Sequence, residues 1–369
     1  MTSVIPDTET AVFTETAVIG AGPIGIELAI ALQRLNHNYI LFEATQVGDA
    51  FMRWPPETRF FSSNEHLALA GVPMQNSSQL APTGDEYLAY LRMLVEMFDL
   101  NLHNYEPLIA ITREKDGFLL RTQRRAGEQL YRCRHVILAT GGMAGPRLLG
   151  IPGEELPHVT HYFPGPHPYF RTRVLIVGGK NSAMEAALRC WRSGAAHVAL
   201  SYRHADLDFE RIKPHLAQDM GDRLRKGEVE FFPNTIPVEI TPTHVVLATT
   251  EEGVARNGRT MRIQHETDFV VLATGFRADM SLFRQAGIAL QGAAEAPVYN
   301  EATMETNVPG LYVAGTAAGG TQERFIHFIS TTHDHVIKIV RHITGMTPQQ
   351  IGSIPARNNA VTYDEVKAN

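Results

Sequence analysis

Two stretches of this chain share one pattern, in which a short apolar segment runs into a glycine-rich loop that opens an amphipathic segment. The first copy, with the apolar segment that follows it, spans residues 16–43, and the second spans residues 173–201. Each copy is closed further along by an apolar run that ends in Ala-Thr-Gly, at 139–141 and at 273–275. A strand, a glycine loop, a helix and a second strand in this order form the dinucleotide-binding βαβ unit. The duplication predicts an α/β protein with two Rossmann-like dinucleotide-binding domains, each a three-layer ββα arrangement.

The remaining segments are assigned around these two units. Residues 142–168 are rich in Pro and Gly and are typical of a crossing between domains. Residues 293–316 are expected to return to the first domain, because too little chain remains for a complete third one. We predict a discontinuous first domain of residues 1–155 plus 294–346, a second domain of residues 156–293 and a C-terminal tail of residues 347–369.

Two further patterns lie inside the first domain. Thr83 and Glu86 precede a run with apolar residues at helical spacing, which predicts a helix that begins after Thr83. Residues 105–140 alternate between apolar and polar around a Lys-Asp-Gly turn at 115–117. This alternation predicts antiparallel strands.

The first glycine loop carries the full Gly-x-Gly-x-x-Gly fingerprint. Gly20 permits a tight turn, Gly22 lets the backbone approach a pyrophosphate, and Gly25 lets the helix pack close to the strand. Glu43 follows Gly20 by 23 residues, at the end of the second strand. A carboxylate there accepts hydrogen bonds from both ribose hydroxyls and disfavours a 2′-phosphate.

The second loop departs from this fingerprint. Lys180 replaces the middle glycine, Ala183 replaces the third, and Ser201 stands at the spacing where the first unit has its acid. Arg203 and His204 follow directly. A hydroxyl and two cations fit a 2′-phosphate, so the pattern favours NADPH over NADH. Solvated loop residues are the alternative, and Lys213 is a weaker candidate for additional phosphate charge.

Charge and cysteine content exclude several classes. The formal net charge is −6, so there is no basic footprint for nucleic acid or an anionic membrane. The apolar residues 17–32 are interrupted by glycines and Glu27, which argues against a membrane span. Cys133 and Cys190 are the only cysteines, which excludes a disulfide framework and any Cys-x-x-Cys pair. We expect a cytoplasmic protein.

Five short segments of the chain resemble those of a known protein family. They are Phe-Phe-Ser-Ser at 60–63, Pro-His-Val-Thr-His-Tyr-Phe at 157–163, His-Pro-Tyr-Phe at 167–170, Gly-Gly-Lys-Asn-Ser at 178–182 and the run at 300–308. Together with the two Ala-Thr-Gly closures, the chain resembles the thioredoxin-reductase-like flavoproteins over nearly its whole length, and most of all the bacillithiol disulfide reductase group. The resemblance implies FAD in the first domain, NADPH in the second, Gly315 beside the flavin and a homodimer.

The predicted cofactor contacts combine the fingerprints with this resemblance. For FAD they are Gly20, Gly22, Pro23, Ile24, Gly25, Glu43, Gly48, Thr140, Gly141, Gly315 and Thr316. For NADPH they are Gly178, Gly179, Lys180, Asn181, Ser182, Ser201, Arg203, His204, Lys213 and Gly275. We predict no metal site.

Departures from the family limit the prediction of function. The chain lacks the Cys-x-x-Cys of thioredoxin reductases, and Ile24 stands where the bacillithiol group commonly has a cysteine. Thr316 replaces the aspartate that usually binds the flavin's ribityl chain. We therefore predict an NADPH-dependent FAD oxidoreductase that passes hydride from NADPH to FAD and on to an external acceptor without a protein dithiol.

Three acceptors stay open. A low-molecular-weight disulfide of the bacillithiol type is favoured by resemblance and disfavoured by Ile24. A small redox protein, as in ferredoxin– or flavodoxin–NADP reductases, fits the missing cysteines. Oxygen, as in flavin monooxygenases, is indicated by the spacing of Gly153, His158 and Tyr162, although one extra residue precedes the histidine. A flavin-bound sensor without an efficient acceptor is a further alternative class.

A histidine cluster follows Gly315 in sequence. His327 is the candidate for protonating the acceptor or the flavin because it is the nearest to Gly315, and Gln322 and Arg324 are equally plausible neighbours. His333 and His335 resemble a metal-ligand pair, but alternate residues on a helix diverge by about 200°, so they are expected to face apart.

Overall fold

The structure is a computed structural model that describes residues 11–258, 260–322 and 326–353. In these residues no helix combines the length and the apolar character needed to cross a bilayer. The described residues divide into two compact units. The first unit comprises the described parts of Met1–Arg53, Glu57–Gly145 and Phe276–Asn369, and the second comprises Trp54–Pro56 and Pro146–Gly275.

The strands of the described residues are numbered in chain order. They are β1 (Val12–Ile19), β2 (Tyr39–Phe42), β3 (Leu102–His103), β4 (Leu108–Glu114), β5 (Gly117–Arg124), β6 (Gly127–Leu138), β7 (Gly145–Pro146), β8 (Val159–Thr160), β9 (Arg173–Val177), β10 (His197–Tyr202), β11 (Glu230–Pro233), β12 (Thr235–Ile240), β13 (His244–Thr249), β14 (Arg262–Glu266), β15 (Phe269–Leu272), β16 (Phe276–Arg277), β17 (Leu290–Gln291), β18 (Ala296–Pro297) and β19 (Leu311–Val313).

The helices are numbered in the same way. They are α1 (Pro23–Arg34), α2 (Asp49–Met52), α3 (Asn64–Leu67), α4 (Gly84–Phe98), α5 (Asn181–Arg192), α6 (Pro214–Arg225), α7 (Glu251–Asn257), α8 (Ser281–Gln285) and α9 (Ile329–Thr344), with 3₁₀ turns at His167–Tyr169, Phe209–Arg211 and Gly315–Gly319.

The first unit is built on a sheet with the order β3-β2-β1-β6-β5-β4, in which β19 also pairs with β6. The pairs β3–β2, β2–β1, β1–β6 and β6–β19 are parallel. The pairs β6–β5 and β5–β4 are antiparallel, so β4, β5 and β6 form a meander. The meander confirms the strands predicted within residues 105–140. Strand β19 pairs with β6, so residues 311–313 belong to the sheet of the first unit. The second unit runs from Pro146 to Gly275, with Trp54–Pro56, whereas the sequence predicts residues 156–293 for it. Residues Ala17–Ile19 of β1 are buried because the parallel part of the sheet is covered on both faces.

The second unit has a parallel sheet with the order β11-β10-β9-β15-β8 and a separate antiparallel sheet of β12, β13 and β14. In both units the strand before the glycine loop lies in the interior of the sheet, with the second strand of the pattern on one side. Each unit therefore brings a glycine loop to the carboxyl ends of parallel strands, where nucleotides bind in such sheets.

Helix α4 begins where the sequence predicts. The Thr83 hydroxyl accepts a hydrogen bond from the Glu86 amide at 3.2 Å, and a Glu86 carboxylate oxygen accepts one from the Thr83 amide at 2.7 Å. This reciprocal pair is a capping box, which satisfies two amides at the start of the helix. Helix α4 then buries Leu88, Leu91 and Leu94 in the core of the first unit.

Candidate active site

The first glycine loop is held so closely that two of its glycines have no room for a side chain. A Cβ atom at Gly25 would lie 1.8 Å from the Gly20 carbonyl oxygen, and one at Gly20 would lie 2.6 Å from the Ala139 carbonyl oxygen. Gly20 also has a φ of +106°, in the region that favours glycine. The close approach of α1 to β1 therefore depends on Gly25.

The middle position of this loop is open. A Cβ at Gly22 would meet nothing within 4 Å, and Gly22 is the N-cap of α1, with Pro23 and Ile24 as its first residues. No side chain caps this helix end. The amides at the start of α1 and its dipole therefore suit a pyrophosphate that approaches over Gly22.

Glu43 is fixed beside the loop by backbone hydrogen bonds. One of its carboxylate oxygens accepts from the Ala21 amide at 2.7 Å, and the other accepts from the Thr45 amide at 2.9 Å and from the Thr45 hydroxyl at 3.1 Å. The Gly48 amide donates to the Ala21 carbonyl at 3.1 Å, which ties α2 to the same loop. A carboxylate has about four acceptor sites, so this arrangement orients Glu43 and leaves it capacity for a ribose hydroxyl.

The closing strand of the first unit brings further predicted FAD residues to the loop. The Thr140 hydroxyl is buried and has no hydrogen-bond partner, and Gly141 follows with a φ of +77°. A Cβ at Gly142 would lie 3.5 Å from the Thr316 hydroxyl, and a Cβ at Gly315 would lie 3.4 Å from the Ile24 Cβ. The glycine cradle and the unsatisfied Thr140 hydroxyl therefore fit a dinucleotide with polar groups, as the FAD prediction requires.

The second glycine loop repeats the first turn with different packing. Gly178 has a φ of +147°, and a Cβ there would lie 2.5 Å from the Ala273 carbonyl oxygen and 3.2 Å from the Ala183 side chain. A Cβ at Gly179 would lie 2.3 Å from the Tyr202 ring, so this aromatic side chain covers the loop. The sequence indicates nothing of this contact, because Tyr202 stands 23 residues from Gly179 on the neighbouring strand.

Ser201, at the position that corresponds to Glu43, is turned inward. It is fully buried, and its hydroxyl lies 2.8 Å from the Thr235 hydroxyl. The Ser201 carbonyl accepts from the Gly178 amide at 3.0 Å, so this residue supports the loop through its backbone. The Ser201 hydroxyl is therefore engaged within the second unit, whereas the sequence predicts that it binds a 2′-phosphate.

Arg203 and His204 lie on the surface next to Ser201. Arg203 Nε donates to His204 Nε2 at 3.2 Å, and His204 Nδ1 lies 3.0 Å from a Glu252 carboxylate oxygen. The His204 ring lowers the pKa of the Glu252 carboxyl. Glu252 is a neighbour that sequence reasoning missed, since it follows His204 by 48 residues and lies in the first turn of another helix, α7.

Lys213, a weaker candidate in the sequence, contacts the second loop through its backbone. Its amide donates to the Asn181 side-chain oxygen at 2.9 Å, and Asn181 and Ser182 are the first residues of α5. Burial lowers the pKa of Lys213 to about 8, while Glu185 opposes this shift. Lys180 is the N-cap of α5, and Gly275 follows the closing strand with a φ of +95°. The loop, Lys213 and Gly275 thus fit a phosphate-bearing nucleotide.

The histidine that contacts Gly315 is His335. The Gly315 amide donates to His335 Nδ1 at 3.2 Å, and burial lowers the pKa of His335 to about 4. The His327 ring packs edge-on against the His335 ring at 5.5 Å, and burial lowers the pKa of His327. His335 is therefore neutral and carries its proton on Nε2. The sequence favoured His327 because it is closer to Gly315 along the chain. It does not indicate that α9 packs against Gly315 and so brings His335 into contact with it.

Gln322 connects His327 to the turn after Gly315. Its side-chain nitrogen donates to the Thr316 carbonyl at 3.3 Å, and its oxygen accepts from the His327 amide at 3.2 Å. A cavity of about 390 Å³ lies beside this turn in the first unit, lined by Tyr299, Glu301, Gly319, Gln322 and His327 among others. Arg324, the other candidate of this segment, lies outside the described residues.

His333 and His335 have different partners, as their spacing predicts. His333 Nδ1 lies 2.6 Å from Glu27, a fully buried carboxylate on α1. The other Glu27 oxygen accepts from the Ala70 and Gly352 amides at 2.7 and 2.6 Å. Glu27 thereby fixes α9, and with it His335, against α1.

Both cysteines of the chain are among the described residues, and both are buried free thiols. Burial raises the pKa of Cys133 and of Cys190 to about 12 in each case. Thiolate is the reactive form of cysteine, so neither thiol is suited to carry electrons.

Comparisons with known proteins give the chain its relatives. A model of the family described as pyridine nucleotide-disulphide oxidoreductase matches residues 17–315. The chain is 31% identical over 319 residues to bacilliredoxin reductase Bdr of Bacillus subtilis strain 168. The aligned residues cover 86% of this chain and 94% of that protein. It is 28% identical over 314 residues to a ferredoxin–NADP reductase of Granulibacter bethesdensis, which covers 83% of this chain and 82% of that protein.

One solved structure is similar over most of its length. Bacillithiol disulfide reductase Bdr (YpdA) from Bacillus cereus matches with a TM-score of 0.83 and 29% sequence identity, over 90% of this chain and 99% of the other. This likeness confirms the predicted thioredoxin-reductase-like α/β fold.

Proposed function

Because the chain belongs to the pyridine nucleotide-disulphide oxidoreductase family and is thus an oxidoreductase, we propose that it uses NADPH and FAD to reduce a low-molecular-weight disulfide of the bacillithiol type. The observation that carries this proposal is the pair of nucleotide cradles in a chain whose two thiols are buried and protonated. Neither thiol would then take part in passing electrons from a bound flavin to the acceptor. The similarity to bacillithiol disulfide reductase from Bacillus cereus favours a disulfide as the acceptor.

Each cofactor would be held by residues of one unit. When bound, the nicotinamide supplies a hydride and the isoalloxazine takes it up. In the first unit, Gly22 and α1 bind the pyrophosphate of FAD, Glu43 binds its ribose, and the Thr140 hydroxyl binds a further polar group. In the second unit, Lys213 and Arg203 bind the phosphates of NADPH, and the Tyr202 ring covers the loop beside them.

The acceptor would approach the turn at Gly315–Gly319 through the cavity that His327 lines. His335 holds the Gly315 amide and so fixes the backbone of this turn. His327 is neutral because burial lowers its pKa, so it offers the acceptor a hydrogen bond rather than a fixed charge. Gln322 positions His327 through its backbone amide.

The test separates the two half-reactions. FAD-loaded protein is reduced anaerobically with one equivalent of NADPH, and the return of the visible flavin absorbance is followed after adding bacillithiol disulfide, a ferredoxin, a flavodoxin or oxygen. We expect the disulfide to reoxidise the flavin fastest. We also expect a Cys133→Ala/Cys190→Ala variant that retains FAD to keep that rate within about twofold. Reduction by NADPH that persists while disulfide turnover is lost would show that a protein thiol is required.

A second variant locates the acceptor. His327→Asn should raise the KM for the disulfide and leave the rate of flavin reduction by NADPH unchanged. Arg341→Gln, which changes an exposed residue near the end of the helix α9 that follows His327, is the matched control. An equal loss in both half-reactions would place His327 outside the acceptor route.

Electron transfer to a small redox protein is the second candidate function. It is favoured by the absence of a usable thiol and by the similarity to a ferredoxin–NADP reductase. Faster reoxidation by ferredoxin or flavodoxin than by any disulfide would select it. A cytoplasmic location and a homodimer belong to the same proposal, and the dimer is checked by the mass of the FAD-loaded protein in solution.

A further inference from the structure

A group of two histidines and one carboxylate lies in the second unit, apart from the residues assigned to nucleotide binding. His197 Nε2 lies 3.2 Å from a Glu230 carboxylate oxygen, and His265 Nδ1 lies 4.0 Å from the same oxygen. One ligand atom from each residue lies within 4.8 Å of the other two. No sequence pattern indicates this group, because its members come from three different strands.

The fold explains how these residues meet. His197 and Glu230 are the first residues of the neighbouring parallel strands β10 and β11, while His265 lies on β14 of the antiparallel sheet. The first residues of parallel strands share one edge of a sheet. The glycine loop lies at the opposite, carboxyl edge, so this group is separate from the nucleotide site.

His265 is the member whose environment most indicates a ligand. It is 8% exposed, and its Nδ1 is the nitrogen that faces Glu230, at 4.0 Å, which is beyond hydrogen-bond distance. The Phe232 ring packs edge-on against the His265 ring at 5.0 Å and fixes its orientation.

The surrounding charges also permit a cation. Arg173 is the nearby positive group, and its guanidinium is bound by Glu266 at 2.5 Å and by Asp268 at 2.8 Å. Glu230 is therefore the carboxylate that faces both histidines. His197 and Glu230 have side chains that are 41% and 47% exposed, which leaves room for a water molecule as a fourth ligand.

We propose that His197, Glu230 and His265 form a binding site for a divalent transition metal of the zinc class, which links the parallel sheet of the second unit to its antiparallel sheet. Imidazole nitrogen and carboxylate oxygen are ordinary zinc ligands, and at bond lengths of about 2.0–2.1 Å tetrahedral ligand atoms lie roughly 3.4 Å apart. Two of the separations are 3.2 and 4.0 Å, and all three ligand atoms lie within 4.8 Å of one another, so side-chain rotation must bring them closer before one ion is bound by all three. The site differs from the sequence-based expectation that the chain has no metal site.

Zinc titration of the FAD-loaded full chain tests the proposal. Tag-free protein is treated with a chelator, dialysed and titrated with ZnCl₂ by calorimetry. We expect one zinc ion per chain and a thermal midpoint that rises by about 5 °C when free zinc exceeds the dissociation constant a hundredfold.

Surface variants separate this site from adventitious binding. His197→Gln and Glu230→Gln change exposed side chains, and each should weaken zinc binding at least about tenfold and remove the thermal shift. His215→Gln, an exposed histidine on α6 of the same unit, should leave both unchanged. Wild-type protein that binds no zinc, or His197→Gln protein that binds it as tightly as wild type, would overturn the assignment.

Discussion

The two glycine loops have the same chain pattern but close their turns with different atoms. In the first loop Gly25 lets α1 approach until a Cβ would be 1.8 Å from the Gly20 carbonyl, whereas Ala183 occupies the corresponding position of the second loop. The residue that follows the first glycine and the residue it faces on the next strand also differ in size between the two units. Ala21 in the first unit corresponds to Gly179 in the second, and Ala44 corresponds to Tyr202, whose ring takes the space that a Gly179 side chain would need.

The two units also differ in how much hydrogen-bonding capacity their polar side chains have left at the loops. Glu43 and the Thr140 hydroxyl lie at the first loop with hydrogen-bonding capacity left, whereas the Ser201 hydroxyl is bonded to Thr235 and the Thr274 hydroxyl donates to the Arg147 carbonyl at 2.8 Å. The first unit thus reserves polar atoms for a ligand, and the second uses the equivalent atoms within its own framework. This difference suits a resident cofactor in the first unit and an exchanging coenzyme in the second.

The largest predicted effect comes from a substitution at Gly25, where the first loop is packed most closely. Gly25→Ala places a Cβ against the backbone of Gly20, so α1 must move away from β1 and the pyrophosphate cradle is lost. We expect protein without bound FAD and with a lower thermal midpoint, measured from the visible flavin spectrum and by calorimetry.

The matched change in the second loop is Ala183→Gly. It removes one methyl group near the start of α5 and should cost about 0.5–1 kcal/mol of stability without loss of FAD. Stoichiometric FAD in Gly25→Ala protein would refute the idea that the first loop depends on this glycine.

The next effect compares Glu43 with Ser201. Glu43→Gln removes the charge from a carboxylate that accepts from the Ala21 and Thr45 amides, and hydrogen bonds to charged groups contribute about 1.5–3 kcal/mol. We expect the dissociation constant for FAD to rise about 10- to 100-fold. Ser201→Ala should change the dissociation constant for NADP⁺ less than about twofold, because the Ser201 hydroxyl faces Thr235. A large loss of NADP⁺ affinity in that variant would return Ser201 to the phosphate site.

A double-mutant cycle measures the contact between Gly179 and Tyr202. Gly179→Ala alone forces the ring away and should destabilise the protein by about 1–3 kcal/mol in denaturant unfolding. In a Tyr202→Ala background, which recreates the small pair of the first loop, the same change should cost nothing measurable. Additive effects would mean that the ring does not constrain Gly179 in solution.

The sequence predicts the repeated units well because their features are local. The glycine loop, the strand before it and the capping box at Thr83 each depend on residues within a few positions of one another. The sequence does not predict the side-chain contacts that depend on how distant strands and helices pack together. Ser201 turns inward because Thr235 lies beside it, and His335 reaches Gly315 because α9 is fixed to α1 through Glu27 and His333. The group of His197, Glu230 and His265 has no local signal for the same reason.

The smallest predicted effect tests whether the second loop receives its phosphate charge from Lys213. The pKa of Lys213 is lowered to about 8 by burial, and a bound phosphate would stabilise the charged ammonium and raise that pKa. Affinity for NADP⁺ should therefore be complete below pH 8 and fall as the pH rises above it. We expect the dissociation constant to increase about three- to tenfold between pH 7 and 9.5, a range above the second ionisation of the 2′-phosphate.

Lys213→Gln should show the weaker affinity already at pH 7 and a flat profile above it. Lys226→Gln, at the other end of the same helix α6, should keep the wild-type profile because its side chain is exposed and far along the helix from Asn181. Equilibrium titration of oxidised, FAD-loaded protein with NADP⁺ separates binding from turnover. If Lys213→Gln bound NADP⁺ at pH 7 as tightly as the wild type, the phosphate charge would have to come from Arg203, which stays protonated over this whole range, and the second loop would bind its coenzyme at the exposed edge instead of beside α5.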